Sequence, residues 1–174
     1  MEFSRIWDAS VLIIAIGCVL VLISISMVLG MVLLDPAFET MLTIYNLALY
    51  PIFFLLYIFA GNRAVGSYAL DPARAGVVSS FSYVVISLFH NVLGIGLLAI
   101  GLSNFTDTSE FADAMAIGDA RGFGFLIGIG LVCMVATIVI GAVINFVIGA
   151  IGGLIGQNLS SKDKPKKGNT VSKS

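Results

Sequence analysis

The chain has 174 residues, 59% of them hydrophobic and only 11% charged, with a formal net charge of -1. Soluble domains carry about 25% charged residues, so this balance excludes an ordinary water-soluble enzyme or binding module, and the charge offers no general attraction to nucleic acid. A mean hydropathy of +1.06 marks an integral membrane protein with the bilayer as solvent for most of its surface.

Apolar runs long enough to cross about 30 Å of hydrocarbon as helix occur four times. The first spans about residues 10–34. Its apolar character continues unbroken for about 25 residues, beyond the h-region of a cleaved signal, so the span is expected to remain in the protein. The second, about 36–61, opens with Leu34-Asp35-Pro36-Ala37, and the third, about 72–102, opens with Leu70-Asp71-Pro72-Ala73. In both, aspartate can cap free amides and proline suits the first helical position. Pro51 should kink the second span near Asn46, and the aromatics Tyr45, Tyr50, Phe53, Phe54, Tyr57 and Phe59 cover more than one of its faces.

Along the third span, Ser79, Tyr83, Ser87, His90, Asn91 and Gly94 recur at three- and four-residue steps. That spacing draws one polar stripe on a greasy helix, and the stripe should face protein. His90 is the only histidine in the chain and lies within a span, where an ionisable group is costly and a functional candidate by default. Three readings stand beside one another: a neutral imidazole bonded to Tyr83, Asn145 or a serine as packing glue, a proton or substrate relay, and a metal or haem ligand. Tyr83, Ser87, His90, Asn91 and Asn145 form the candidate intramembrane polar site. No cofactor is expected, because one histidine cannot supply paired axial haem ligands and no span offers a carboxylate for a metal.

Between the third and fourth spans, "NFTDTSEFADAMAIGDAR" reads as a short surface helix with a solvated acidic face. The fourth span, about 122–156, is roughly 52 Å long as helix and must tilt, break or project from the membrane; "GFGFLIGIG" at its start is a candidate broken or interfacial segment. Gly141, Asn145, Gly149 and Gly153 form an i,i+4 stripe on it, and Gly149–Gly153 and Gly152–Gly156 are two overlapping small-xxx-small pairs. Glycine costs about 1 kcal/mol relative to alanine inside a helix, so its repeated use implies close helix approach in lipid. The partner is either another helix of this chain or a second protein. Residues 160–174 form a lysine-rich tail expected to be disordered and to meet anionic headgroups.

Arg5, Arg63, Arg74, Lys162, Lys164, Lys166, Lys167 and Lys173 fall on one side of a four-span arrangement, and of the nine basic residues only Arg121 falls on the other. By the positive-inside rule both termini are expected in the cytoplasm, with the chain in the cell membrane. Cys18 and Cys133 lie in apolar runs without redox or metal spacing. No Ser/His/Asp set, paired carboxylates or phosphate-cradling glycine loop can be assembled.

The fold class expected is therefore all-α: a polytopic membrane bundle of four transmembrane helices over residues 1–159. The segments "GNRAVGSYALDPARAG" and "GAIGGLIGQNL" resemble features of small uncharacterised four-span prokaryotic membrane proteins, a likeness that covers under a fifth of the chain and implies no functional residue. Abundant small-residue faces beside scarce chemistry point first to a non-catalytic accessory or scaffold subunit that packs its fourth span against partner helices. The alternative is a small oligomeric transporter or channel whose path is lined by the polar stripe of the third helix. A subunit lending His90 to a larger membrane enzyme is a third reading. The partners expected are membrane lipids and either a membrane protein or further copies of the chain, not nucleic acid.

Overall fold

The computed structural model describes residues 2–33, 38–105 and 120–162, with side-chain surroundings for 3–30, 40–96 and 130–159. Four helices account for almost all of them: α1 (Glu2–Leu33), α2 (Phe38–Tyr68), α3 (Pro72–Phe105) and α4 (Ala120–Lys162). All four contain stretches long and apolar enough to cross a membrane, so the chain is a four-span, all-α membrane protein. Every backbone polar group in hydrocarbon must be bonded internally, and long helices achieve this within a single segment.

Each helix except α3 continues well past its apolar run. The α1 helix starts eight residues before Ser10, α2 runs seven residues past Gly61, and α4 reaches Lys162 without a break at the glycine-rich segment after Gly122. Hydropathy marks the thickness of the membrane, whereas helix length follows from packing beyond it. The N-terminal turns of α1 are held by Phe3 and Trp7 against the Phe81 ring of α3, edge to face at 6.2 and 5.9 Å. The Asp35-Pro36 start, the loop helix and the tail from residue 163 lie outside the described residues.

The α2–α3 connection shows how the chain reverses. Ala69 adopts φ 51°, the left-handed region, and the Leu70 amide returns to the Ala64 carbonyl at 3.1 Å. Asp71 then starts α3 as its sequence suggests: Oδ1 accepts from the Arg74 amide at 2.9 Å, Oδ2 pairs with Arg74 Nε at 3.1 Å, and its carbonyl accepts from the Ala75 amide. Left-handed backbone costs an L-residue about 1–2 kcal/mol that glycine avoids, offset in part by glycine's greater freedom when unfolded. Ala69→Gly is therefore expected to stabilise the protein by roughly 0.5–1 kcal/mol. Thermal unfolding in detergent checks this, and a lowered midpoint would contradict the strain.

Helices α1 and α4 flank the α2–α3 pair, each packing on both of its members. At one end of the bundle Tyr68 donates to the Asp8 carbonyl at 3.1 Å, and a Cβ at Gly153 would lie 3.1 Å from Pro72 Cα. The start of α1, the end of α2, the start of α3 and the end of α4 thus share this end, as an up-down bundle requires.

Close backbone approach concentrates there. A Cβ placed on Gly61 of α2 would fall on the Gly149 carbonyl of α4, and one on Gly152 would fall on the Ile58 carbonyl. Gly149 also abuts Ser79, a fully buried residue of α3 whose hydroxyl donates to the Tyr57 carbonyl at 3.0 Å. Three helices therefore meet through glycine, serine and main-chain oxygen, with Ala60, Ala64, Ala75 and Val78 completing a buried layer. Small residues permit this because apolar burial gives helices little reason to associate in lipid, whereas dispersion and interhelical hydrogen bonds remain. We call this the closed end.

Candidate functional site

The polar stripe of α3 runs out of the closed end into a different environment. Ser79 is fully buried, Tyr83, Ser87 and Asn91 are half-buried, and His90 and Gly94 are exposed. Only the first part of the stripe is sealed against protein. Beyond it, the α2–α4 backbone approaches cease, and a cavity of about 860 Å³ lies among all four helices. Its size is that of a typical small-molecule pocket.

All five sequence-selected polar residues line this cavity: Tyr83, Ser87, His90 and Asn91 from α3, and Asn145 from α4. The glycines do not. Gly141 lies against the Tyr83 hydroxyl, Gly149 against Ser79, Gly152 against Ile58, Gly153 against Ala75 and Pro72, and Gly156 against Asn62. Between the two partners left open by the sequence, the structure brings this stripe against helices of the same chain.

The floor of the cavity is one helical turn above the glycine layer. Asn145, 7% exposed, and Tyr57, 4% exposed, both line it there, and the Tyr83 ring stands edge to face with Tyr57 at 6.2 Å. The Tyr83 hydroxyl donates to the Thr137 carbonyl at 3.3 Å, and the Asn145 amide nitrogen donates to the Gly141 carbonyl at 2.8 Å. Asn91 does the same on its own helix, donating to the Ser87 carbonyl at 2.7 Å. These bonds fix the amide groups and leave each side-chain oxygen available as an acceptor. His90 makes no hydrogen bond with any described residue, so the expected packing bonds to Tyr83, Asn145 or a serine are not formed.

Two contributions were not assigned to the site from sequence. On α1, Ser24 donates to Asn46 Oδ1 of α2 at 3.3 Å, and both residues line the cavity. Nearby, Tyr45 donates to the Leu20 carbonyl at 2.7 Å, tying the same two helices together. Phe53 and Tyr57, stacked at 6.0 Å, form an aromatic wall with Phe54 and Tyr50. The signal available was isolated polar residues within apolar runs, and nothing in Ser24 itself distinguishes it from Ser26, which bonds back to the Leu22 carbonyl of its own helix.

The exposed residues of the cavity lining are Asn46, Tyr50 and Phe54 of α2, His90 of α3 and Thr137 of α4, with Tyr50 77% exposed. No group of three or more His, Cys, Asp or Glu side chains gathers among the described residues. The arrangement is a mostly apolar chamber whose polar lining is hydroxyl and amide groups with one imidazole, His90. No protein-family model, curated protein or solved structure matches the chain, so the geometry alone carries the functional reading.

Proposed function

We propose that the chain is a non-catalytic membrane carrier that holds a small molecule in the cleft above the closed end. The observation that supports it is the convergence of neutral polar groups from all four helices on one cavity that has a floor. A blind chamber near mid-membrane fits alternating access, in which a site opens to one side at a time, better than it fits a continuous channel. One copy of the chain supplies lining residues from all four helices, which supports a chamber built within a single chain.

In this reading the closed end, with Arg5, Arg63, Arg74 and the lysine-rich tail, faces the cytoplasm, where the lysines meet anionic headgroups of the cell membrane. The chamber then opens on the outer half. An accessory-subunit role would have to use a face other than the glycine stripe, such as the exposed Val132, Val135, Val139 and Val143 of α4.

Purified protein in liposomes is expected to accelerate the flux of at least one member of a panel comprising protons, alkali cations, uncharged polyols and fluorescent lipids. His90→Leu should reduce that flux several-fold, since His90 lines the cavity and supplies its one ionisable ring nitrogen pair. Flux equal to that of empty liposomes for every member, from protein shown to be folded, would count against a carrier.

A further inference from the structure

Helix α2 continues through Pro51, although a proline has no amide hydrogen to give the Leu47 carbonyl one turn before it. A helix bends most easily at such a missing bond. The two sides of this joint are held very differently. Every α2 residue that belongs to the hydrophobic core or packs on it follows Pro51, from Phe53 to Tyr68. The same part is clamped to α4 where Gly61 meets Gly149 and Gly152 meets Ile58, and to α3 by the Ser79 hydroxyl on the Tyr57 carbonyl. Before the proline, none of residues 40–50 is buried.

That earlier segment is joined to α1 by two side-chain hydrogen bonds, Ser24 to Asn46 Oδ1 at 3.3 Å and Tyr45 to the Leu20 carbonyl at 2.7 Å. Neither involves the core. Asn46, Leu49 and Tyr50 of the segment line the cavity, together with residues of α3 and α4. The space beside the segment within the bundle is therefore open, and an inward tilt there need displace no packed side chain.

We propose that Pro51 is a pivot and that the Ser24–Asn46 and Tyr45–Leu20 bonds are its latch: when they release, the α2 segment before Pro51 tilts into the cavity while the part after it stays fixed in the closed end. This goes beyond the carrier reading by naming the part of the chain that moves. One net hydrogen bond biases an equilibrium by about fivefold, so two favour the latched form over the tilted one by about 25-fold. Alanine at the pivot would restore one backbone bond that tilting must strain, a further bias of about fivefold.

The test is double electron–electron resonance on the full chain in lipid nanodiscs. Cys18 and Cys133 are replaced by alanine, and nitroxides are attached at Ile44→Cys on α2 and Val132→Cys on α4, both exposed positions. In the latched protein one distance should dominate. Asn46→Ala with Tyr45→Phe should raise a second, shorter distance about 25-fold relative to the first, and adding Pro51→Ala should lower it again about fivefold. Should that pair of substitutions prevent folding, Ser24→Ala with Tyr45→Phe removes the same two bonds and carries the same expectation. Nitroxides at Phe59→Cys and Leu154→Cys, beyond the pivot, should report one unchanged distance throughout. A single 44–132 distance in the unlatched protein, or a second one longer than the first, overturns the proposal. So does a second distance that Pro51→Ala leaves equally populated, or one that also appears between 59 and 154, since α2 would then move as one body. All distances are read without any solute, and the carrier reading is decided separately by the flux panel.

Discussion

Gly149→Leu is expected to destabilise the folded bundle by about 3 kcal/mol, the upper part of the range for overpacking a filled interior. A side chain at this position meets the Ser79 hydroxyl at once and comes within 2.9 Å of the Ala75 carbonyl. Ser79 is itself fully buried and bonded to the Tyr57 carbonyl, so it cannot swing aside without leaving polar groups unpaired. Relief must come from separating α4 from α3, which also breaks the Gly61–Gly149 approach to α2. Gly94→Leu provides the contrast: a Cβ there has nothing within 4 Å, and leucine's better helix propensity should leave stability unchanged or slightly raised. Equilibrium unfolding in mixed micelles measures both. If Gly149→Leu unfolds with the wild type, the glycine layer does not hold the helices together.

A cysteine placed at the cavity floor should react with N-ethylmaleimide at least about a hundredfold faster than one placed in the layer beneath it, because the latter reacts only when the bundle opens locally. With Cys18 and Cys133 replaced by alanine, the comparison is Asn145→Cys against Ser79→Cys. Both positions are buried by overall exposure, at 7% and 0%, yet only Asn145 borders the cavity. Adding Ile138→Trp, which pushes a larger side chain into the cavity from α4, should slow the Asn145→Cys reaction by about tenfold with no change in unfolding midpoint, since the space it fills is empty of protein. Similar rates at 145 and 79 would mean that no accessible chamber reaches the floor.

How much of this was legible in the sequence differs from feature to feature. The four spans were, because apolar runs of this length have few alternatives, and so was the start of α3, where Asp71 caps as its position before Pro72 suggests. The polar stripe was legible as periodicity on one helix, and its five selected residues do meet at one cavity. Periodicity could not say where along the stripe protein contact gives way to open space. That change, between Ser79 and His90, depends on how far α2 and α4 stay together, a property of pairs of helices. For the same reason the glycine stripe could be recognised as a packing face without revealing which helices it packs on. Asn46 and Tyr57 stood out only as an isolated polar residue and one aromatic among several. Their place in the site follows from the Ser24 bond and from the glycine contact that brings α2 down onto α4.

The closed end also bears on the order in which the protein can assemble. Its tightest contacts join α2 and α3 to α4, the helix that follows them in the chain. While the first three helices are in the membrane and α4 is still being synthesised, Ser79 and Tyr83 lack the surface that later covers them, and the chamber has no floor. Neighbouring helices can pair through a short turn such as the α2–α3 connection, but the α4 share of the cavity lining, Met134, Thr137, Ile138, Asn145 and Ile148, arrives only with that last helix.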